Sequence, residues 1–201
     1  MMKRSFFSLS YDELTSWLSN HGEKPFRARQ LFEWIYTKKA DTWEAMTNLS
    51  TKLRDLLKEN FTLSAMELKE CEQSDDKETY KFLWQLHDGA YVESVLILSG
   101  SRRSVCVSSQ VGCPVACAFC ASGKLGFKRN LTFDEILQQV WNIDIWLHKN
   151  YGETVSHVIF MGMGEPLKNE EEVFTALKGL NNKNMFNISQ RRITISTVGI
   201  P

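Results

Sequence analysis

The sequence has no excess of charge of either sign and no long apolar run. Its 24 Lys and Arg residues balance 24 Asp and Glu residues. A neutral chain has no overall field that attracts nucleic acid or a membrane, so any site for a polyanion must be a local patch. No stretch approaches the roughly 18 apolar residues of a membrane span, and the apolar part of residues 1–7 is too short for a signal peptide. We therefore expect a cytoplasmic protein without membrane contact.

Cysteine is scarce, with 5 residues among 201. The 43% of hydrophobic and 24% of charged residues are ordinary globular values, and they exclude a disordered, collagen-like or disulfide-scaffold protein. The length exceeds the usual size of one domain, so we expect one full domain with a smaller module, or a piece of something larger.

Residues 1–62 show the pattern of a small helical domain. Ser10 and Glu13 fit a capping box ahead of an apolar stripe, which predicts a first helix that ends before Gly22. A second helix is predicted after Pro25, and a third from about Ser50.

The pattern changes to strands in residues 63–100, where the runs 80–86 and 91–98 flank an Asp-Gly turn and predict a β-hairpin. In residues 101–201 short apolar runs alternate with helices. Strands are predicted at 104–109, 155–161 and 192–197, and helices at 132–149 and 170–179. Repeated strand–helix units predict an α/β fold with a parallel sheet that is open or closes into a barrel.

The third parallel strand is predicted directly before Pro201. Three parallel strands with so few crossover helices leave an unpaired edge and an uncovered face. We therefore expect further strands to follow in a longer protein.

Three of the five cysteines, Cys113, Cys117 and Cys120, have the spacing C-x3-C-x2-C directly after a predicted strand. In a reducing compartment this clustering indicates metal ligation. Three thiolates can hold three irons of a four-iron four-sulfur cluster and leave the fourth iron open for a ligand. The triplet is also compatible with a zinc site completed by a residue such as His157, or with small buried residues that bind no metal.

Two polar loops follow the other predicted strands. Gly162-Met-Gly-Glu165-Pro comes after the strand at 155–161, and Ser196-Thr-Val-Gly199 lies at the carboxyl end of the last strand. Glycines at the carboxyl end of a parallel strand let the backbone approach a ligand closely, and Glu165 could accept from an ammonium group. Alternatively the first loop is only a tight turn and the second a helix cap.

The cysteine triplet together with the Gly-Met-Gly-Glu-Pro loop resembles the radical S-adenosylmethionine (SAM) superfamily. Further segments are similar to the adenine carbon-2 methyltransferases that modify large-subunit ribosomal RNA and transfer RNA. These are Val-Ser-Ser-Gln-Val-Gly-Cys-Pro at 107–114, Phe-Cys-Ala-Ser-Gly at 119–123, Arg-Asn-Leu-Thr at 129–132 and Ile-Ser-Thr-Val-Gly at 195–199. The helical segment 26–36 resembles the amino-terminal accessory domain of that family, so the match covers the whole chain.

The resemblance implies three parts: an RNA-binding helical accessory domain at 1–62, a β-hairpin lead-in at 63–100, and the first half of a radical SAM α/β barrel at 101–201. In this family one SAM molecule is cleaved to a deoxyadenosyl radical and a second methylates a cysteine. The radical formed on that methyl group then adds to carbon 2 of adenine. The implied partners are 23S ribosomal RNA, tRNA and an electron donor such as a flavodoxin-type reductant, and the enzyme is expected to be a monomer.

The resemblance also implies the roles of single residues. Cys106 is expected to resolve the covalent protein–RNA intermediate, with a disulfide in the working enzyme, and Glu93 to be the general base. The residues expected to bind cofactors are Cys113, Cys117 and Cys120 for a 4Fe-4S cluster, and Gly164, Glu165 and Ser196 for SAM.

Without the resemblance, Glu93 is a solvent-facing strand residue and Cys106 a core cysteine. Cys71 has no match in the family, and we assign it no role. The methyl-carrying cysteine of the family lies in its carboxyl-terminal half and has no counterpart here, so we do not expect the complete reaction if the chain ends at Pro201. A zinc-stabilised RNA-binding module without chemistry and a radical SAM enzyme with another substrate are the alternative functions.

RNA binding by a neutral chain requires local positive surface, with affinity that depends on salt. Cations occur beside the cysteine triplet, before the last strand and in the helical domain. They are Lys124, Lys128, Arg129, Arg102, Arg103, Arg191, Arg192, Arg27, Arg29, Lys38 and Lys39.

Overall fold

A computed structural model describes residues 3–199, and the four terminal positions, including Pro201, lie outside the described residues. The described chain begins with strand β1 (Arg4–Ser5), a 3₁₀ turn and helix α1 (Tyr11–Asn20). The capping box predicted for α1 is present, since Ser10 Oγ accepts from Glu13 N at 3.2 Å and the Glu13 carboxylate accepts from Ser10 N at 2.8 Å. Both predicted partners therefore satisfy exposed backbone donors at this helix end.

The two other predicted helices of the amino-terminal domain are also present. Helix α2 (Phe26–Phe32) continues into a π-helical turn (Glu33–Thr37), and α3 (Thr51–Asn60) begins after Ser50, whose hydroxyl accepts from Leu53 N at 3.2 Å. Strand β2 (Phe61–Thr62) pairs in parallel with β1 and closes the domain. Its core is rich in aromatic rings, namely Phe6, Phe7, Phe32, Tyr36, Trp43 and Phe61.

A four-stranded antiparallel meander follows. Its strands are β3 (Met66–Gln73), β4 (Thr79–Leu86), β5 (Tyr91–Ser99) and β6 (Arg102–Cys106). Strands β4 and β5 form the predicted hairpin. The sequence did not reveal β3, because every residue of this strand after Met66 is exposed and the strand therefore lacks apolar alternation.

The remaining elements alternate between strands and helices. In chain order they are β7 (Gln110–Gly112), α4 (Ala121–Lys124), β8 (Phe127–Asn130), α5 (Phe133–Tyr151), β9 (His157–Phe160), α6 (Glu170–Asn181) and β10 (Ile193–Ile195). A capping box formed by Thr132 and Glu135 begins α5, as predicted.

The main sheet has six strands in the order β10-β9-β6-β5-β4-β3. Its strands β6, β9 and β10 are parallel, which confirms a mixed α/β fold with a parallel part. All three end one to three residues earlier than predicted. In one case, Gly162 N donates to Val107 O at 3.1 Å instead of extending β9. Closure of these strands into a barrel remains a prediction.

The two faces of the sheet differ in burial. Residues of β4 alternate between buried and half-buried along the whole strand, and β5 does so over most of its length. Buried residues such as Val92, Leu96, Val105 and Phe160 share one hydrophobic core with Ile136 and other residues of α5 and α6. The opposite, half-buried face carries Glu93. Within the described residues, no helix is long and apolar enough to cross a membrane.

The helical domain packs directly against α5. Trp141 and Ile145 of this helix belong to the aromatic core of the amino-terminal domain. The Trp141 ring lies 5.0 Å from the Phe7 ring, and its indole N–H donates to the carbonyl oxygen of Ile35 at 3.3 Å. Helix α5 therefore contributes side chains to both cores and fixes the helical domain relative to the sheet.

Candidate active site

The residues singled out from the sequence gather at one edge of the sheet. Cys106 ends β6, Gly164 and Glu165 follow β9, and Ser196 follows β10. These strands are adjacent and parallel, so their carboxyl ends meet at the same edge, where parallel α/β sheets bind ligands. Ser196 N donates to the carbonyl oxygen of Phe160 at 3.4 Å, which keeps the loop after β10 beside the loop after β9.

The cysteine loop also begins near this edge, after the short strand β7. Gly112 has φ +75°, and a Cβ atom there would lie 1.7 Å from the carbonyl oxygen of Gly126. Only glycine fits this position, and Cys113 N then donates to Gly126 O at 3.1 Å. Within the loop, Cys120 N donates to Cys117 O at 3.0 Å, so the loop forms a tight turn between its second and third cysteine.

The three loop thiols are half-exposed, and all five cysteines are free. Backbone N–H groups, first that of Gly123 and then that of Ser122, lower the pKa of Cys120. Such bonds favour the thiolate, the form that ligates metals.

Among residues 3–199, no three His, Cys, Asp or Glu side chains converge as a metal-binding group. The donor set fits an iron–sulfur cluster, because three accessible thiols lie on one short loop and one of them is biased toward thiolate.

The structure does not place His157 where a zinc ligand is needed. His157 begins β9, at the end opposite the edge that carries the loops. Four residues at about 3.3 Å each separate it from Met161, a distance of about 13 Å. His157 Nδ1 instead lies 2.8 Å from the Ser156 hydroxyl. The interpretation of His157 as a fourth ligand is therefore wrong.

The glycines of the loop after β9 are required by contacts within the protein. A Cβ on Gly162 would lie 2.7 Å from Val107 O, and one on Gly164, at φ +104°, would lie 2.6 Å from Gln110 Cβ. The sequence predicted close approach to a ligand, whereas the structure shows close approach to residues 107–110. This contact places the glycine loop against the segment that leads to the cysteines.

Glu165 is buried, with 3% of its surface exposed. Its Oε1 accepts from Leu167 N at 3.0 Å and its Oε2 from Val198 N at 2.9 Å. Burial raises the pKa of Glu165, but hydrogen bonds from the Val198 and Leu167 N–H groups and the Thr197 hydroxyl outweigh it, so the pKa is lowered. Through these bonds Glu165 joins the loop after β9 to the loop after β10. Each carboxylate oxygen has two lone pairs, so Glu165 can also accept from an ammonium group.

Glu93 and Cys106 lie on the same face of the sheet. Cys106 is paired with Val95, and Glu93 is two residues from Val95 on β5. The Glu93 side chain is 46% exposed, and its Oε1 lies 3.7 Å from Lys81 Nζ. Cys106 is buried; burial raises its pKa, and a bond from the Met161 N–H partly offsets this. The two residues are diagonal neighbours on adjacent strands.

Sequence reasoning missed a buried polar network below these loops. Ser108, Gln110 and Gln139 are fully buried. The Ser108 and Gln110 side chains both accept from backbone N–H groups of the glycine loop, and Gln139 accepts from Ser108 N. Gln110 Oε1 accepts from Glu165 N at 2.8 Å, and Gln110 Nε2 donates to Asn130 Oδ1 at 2.8 Å. The only signals in the sequence are the polar Ser-Ser-Gln that follows an apolar strand and a Gln within the apolar stripe of α5.

Several cations expected to contact RNA are held in ion pairs instead. Arg129 donates to both carboxylate oxygens of Glu135 at 2.8 and 2.9 Å and to Asp88 at 2.7 Å. Lys39 pairs with Asp144, and Arg103 with Glu153. These groups stabilise the fold, and their charges are already compensated.

Strand direction separates the remaining cations near the sheet into two groups. Arg102 begins β6, and Arg191 and Arg192 precede β10, so all three lie at the amino ends of the parallel strands, away from the candidate site. Lys124 and Lys128 are exposed and follow the cysteine loop directly. Of the cations predicted from the sequence to contact RNA, Lys124 and Lys128 are therefore the exposed ones beside the candidate site.

Comparison with known proteins finds matches to the helical domain and to almost the whole chain. Residues 5–63 match the family described as the ribosomal RNA large subunit methyltransferase N-terminal domain. The chain is 54% identical over 195 residues to a probable dual-specificity RNA methyltransferase RlmN 2 of Protochlamydia amoebophila, covering 97% of this chain and 54% of that protein. It is 47% identical over 198 residues to a probable RlmN of Thermotoga neapolitana, covering 98% of this chain and 57% of that protein.

A solved structure is similar over almost the whole chain. The crystal structure of a radical SAM methyltransferase from Sphaerobacter thermophilus superposes with a TM-score of 0.93 at 38% sequence identity. The match covers 98% of this chain and 57% of the other. The chain thus spans about half the length of the relatives that it matches.

Proposed function

We propose that this chain belongs to the RlmN family of dual-specificity RNA methyltransferases and provides cofactor-binding and RNA-binding parts of a radical SAM enzyme. The proposed reaction is methylation of carbon 2 of an adenine in 23S ribosomal RNA and in tRNA. The observation that carries the proposal is the meeting of Cys106, the glycine loop and Ser196 at the carboxyl edge of three parallel strands, beside the cysteine loop.

In this proposal the cysteine loop holds a 4Fe-4S cluster. Cys113, Cys117 and Cys120 supply three thiolates, and the bound cluster supplies the electron that cleaves SAM. The bias of Cys120 toward thiolate supports this assignment. A flavodoxin-type protein is the proposed electron donor.

SAM is proposed to contact Gly164, Glu165 and Ser196. The lowered pKa of Glu165 keeps its carboxylate ionised, so it can accept from the amino group of SAM. Its bonds to Leu167 N and Val198 N hold that carboxylate at the edge of the sheet. The protein's contribution would thus be a fixed negative charge at the carboxyl edge of the parallel strands.

Glu93 and Cys106 are proposed to act on the RNA base. Glu93 would take the carbon-2 proton on a carboxylate oxygen, and Cys106 Sγ would release the product from the protein. Their position on one face of the sheet supports the assignment. The exposure of Glu93 means that the bound base must itself exclude water, because a general base acts best when it is partly desolvated.

RNA is proposed to bind through the helical accessory domain, residues 1–62, and through Lys124 and Lys128 beside the cysteine loop. We propose that residues 63–100 form a β-hairpin lead-in and that residues 101–201 form the first half of a radical SAM α/β barrel. The enzyme is proposed to work as a monomer in the cytoplasm, where its proposed RNA substrates occur.

Anaerobic reconstitution with iron and sulfide tests the proposal. We expect about four irons and four sulfides per chain, as for a single cluster of this type. Cys117→Ser should lose the cluster, whereas the matched control Cys71→Ser, at an exposed position on β3, should retain it. Iron content that is undiminished in Cys117→Ser, or stoichiometric zinc in place of iron, would reject the cluster and favour the zinc-stabilised module.

A further inference from the structure

Ser108 lies where three parts of the candidate site come together. It is fully buried, two residues after the end of β6. Its hydroxyl donates to the carbonyl oxygen of Glu93 at 2.6 Å and accepts from Met163 N at 2.9 Å. One hydroxyl therefore joins the strand that carries Glu93 to the loop that carries Gly164 and Glu165.

Helix α5 fixes Ser108 from the other side. Gln139 Oε1 accepts from Ser108 N at 2.8 Å, and Gln139 Nε2 donates to Ser108 O at 3.0 Å. With both backbone groups and the hydroxyl bonded, Ser108 has no freedom to turn. The same Gln139 Oε1 accepts from Ser94 Oγ at 2.7 Å, so Ser94 shares the network but does not bond to the glycine loop.

The glycine loop is shaped to reach this hydroxyl. A Cβ on Gly162 would lie 2.8 Å from Ser108 Oγ and 2.7 Å from Val107 O, so any larger residue would push the loop away. Met163 N has no other hydrogen-bond acceptor among the described contacts. Loss of the hydroxyl would leave this buried N–H without an acceptor. An unpaired buried donor destabilises the folded state, because it has lost its hydrogen bonds to water without replacement.

We propose that Ser108 is a positioning residue that sets the distance between the Glu93 strand and the SAM-binding loop. This inference rests on the proposed function, since it assigns SAM to that loop. Ser108 itself touches neither SAM nor RNA and acts through Met163 N and the Glu93 carbonyl.

A comparison of Ser108→Ala with Ser94→Ala tests the inference in the chain without cofactors. Both serines are fully buried and bond to Gln139, but only Ser108 bonds to the glycine loop. By hydrogen exchange with mass spectrometry, we expect the amides of residues 162–165 to exchange at least tenfold faster in Ser108→Ala than in Ser94→Ala. Exchange in α3 is the internal reference, because this helix lies in the other core. Equal exchange of residues 162–165 in both variants would overturn the inference.

Gly162→Ala serves as a second variant if Ser108→Ala fails to fold. The added methyl group approaches Ser108 Oγ from the loop side, and it should accelerate exchange of the same four residues. A Gly162→Ala loop as protected as that of the unaltered chain would count against the proposed contact.

A second experiment measures the affinity for SAM by titration calorimetry on the anaerobically reconstituted chain. We expect Ser108→Ala to bind SAM about tenfold more weakly than Ser94→Ala does, with unchanged iron content. Equal affinities of the two variants would overturn the positioning role while the proposed function stands. If the unaltered chain binds neither cluster nor SAM, the proposed function fails, and the hydrogen-exchange result still decides whether Ser108 holds the loop.

Discussion

Lys39 and Asp144, 105 residues apart in sequence, form an ion pair at the junction of the helical domain and α5. The Lys39 side chain is 11% exposed and that of Asp144 is 4% exposed. Asp144 also accepts from Val155 N at 2.8 Å, just before β9. The pair thus joins the helical domain, α5 and the segment that enters the parallel sheet.

Lys39→Ala should lower the free energy of unfolding by about 3 kcal/mol or more, because it leaves a buried carboxylate without its counterion. Lys149→Ala is the matched control, since Lys149 pairs with Asp41 across the same junction but is 59% exposed. Loss of that exposed pair should lower the free energy of unfolding by less than about 1 kcal/mol. Urea denaturation of both variants measures the difference, and equal losses would show that burial of the Lys39 pair has no consequence.

Two capping-box glutamates should differ in their contribution to stability. Glu13 caps α1 at the surface, whereas Glu135 caps α5, is 3% exposed and also binds Arg129 through both oxygens. Glu13→Ala should cost about 0.5–1 kcal/mol as a lost cap, and Glu135→Ala about 3 kcal/mol because Arg129 loses a buried partner. Thermal or urea unfolding gives both values. A Glu135→Ala loss no larger than that of Glu13→Ala would contradict the role of the Arg129 pair.

The Arg129–Asp88 contact should make stability depend on acid pH. The Arg129 side chain lowers the pKa of Asp88 from 3.8 to about 2. A lowered pKa in the folded state stabilises the protein above the unfolded-state pKa, and this contribution disappears as pH falls through the folded-state value. We expect Asp88→Asn to be less stable than the unaltered chain at pH 7, with the difference shrinking between pH 4 and about pH 2. Urea midpoints measured across this range test it, and a difference that stays constant would be inconsistent with ionic pairing.

Cys106 should react slowly for a free thiol. Burial restricts access and raises the pKa of Cys106, whereas Cys71 is exposed on β3. At pH 8 iodoacetamide should modify Cys71 at least tenfold faster than Cys106, as followed by peptide mass spectrometry. In denaturing urea the two rates should become similar. Equally fast modification of both in the native chain would mean that Cys106 is accessible.

The elements predicted correctly have local causes. The capping boxes at Ser10 and Thr132 and the Asp-Gly turn of the hairpin involve residues within four positions of each other, so the sequence displays them directly. Strand β3 was missed because its outer residues are exposed and give no apolar alternation. The predicted ends of the parallel strands were one to three residues too late, because hydrogen bonds between segments distant in sequence, such as Gly162 N to Val107 O, affect where a ladder stops.

The candidate site shows the same division. The sequence placed Glu165 and Ser196 at the carboxyl ends of parallel strands, which share an edge of the sheet, whereas the structure shows that Cys106 also lies at that edge. No signal in the sequence indicated that Arg129 is committed to Asp88 and Glu135, since Asp88 is 41 residues away along the chain. The Ser108 contacts span 31 and 55 residues, and polar residues after a strand do not identify such partners.

The sequence alone determined the composition of the site: the cysteine spacing, the glycine loop and the family that these motifs resemble. These are properties of residues that are close together in the sequence, so they can be recognised without the structure. Only the tertiary structure decided which of the predicted cations are held in ion pairs, that His157 lies at the far end of its strand, and that Ser108 joins two parts of the site. Each of these depends on strand direction and on hydrogen bonds between distant residues, which form only when the sheet assembles.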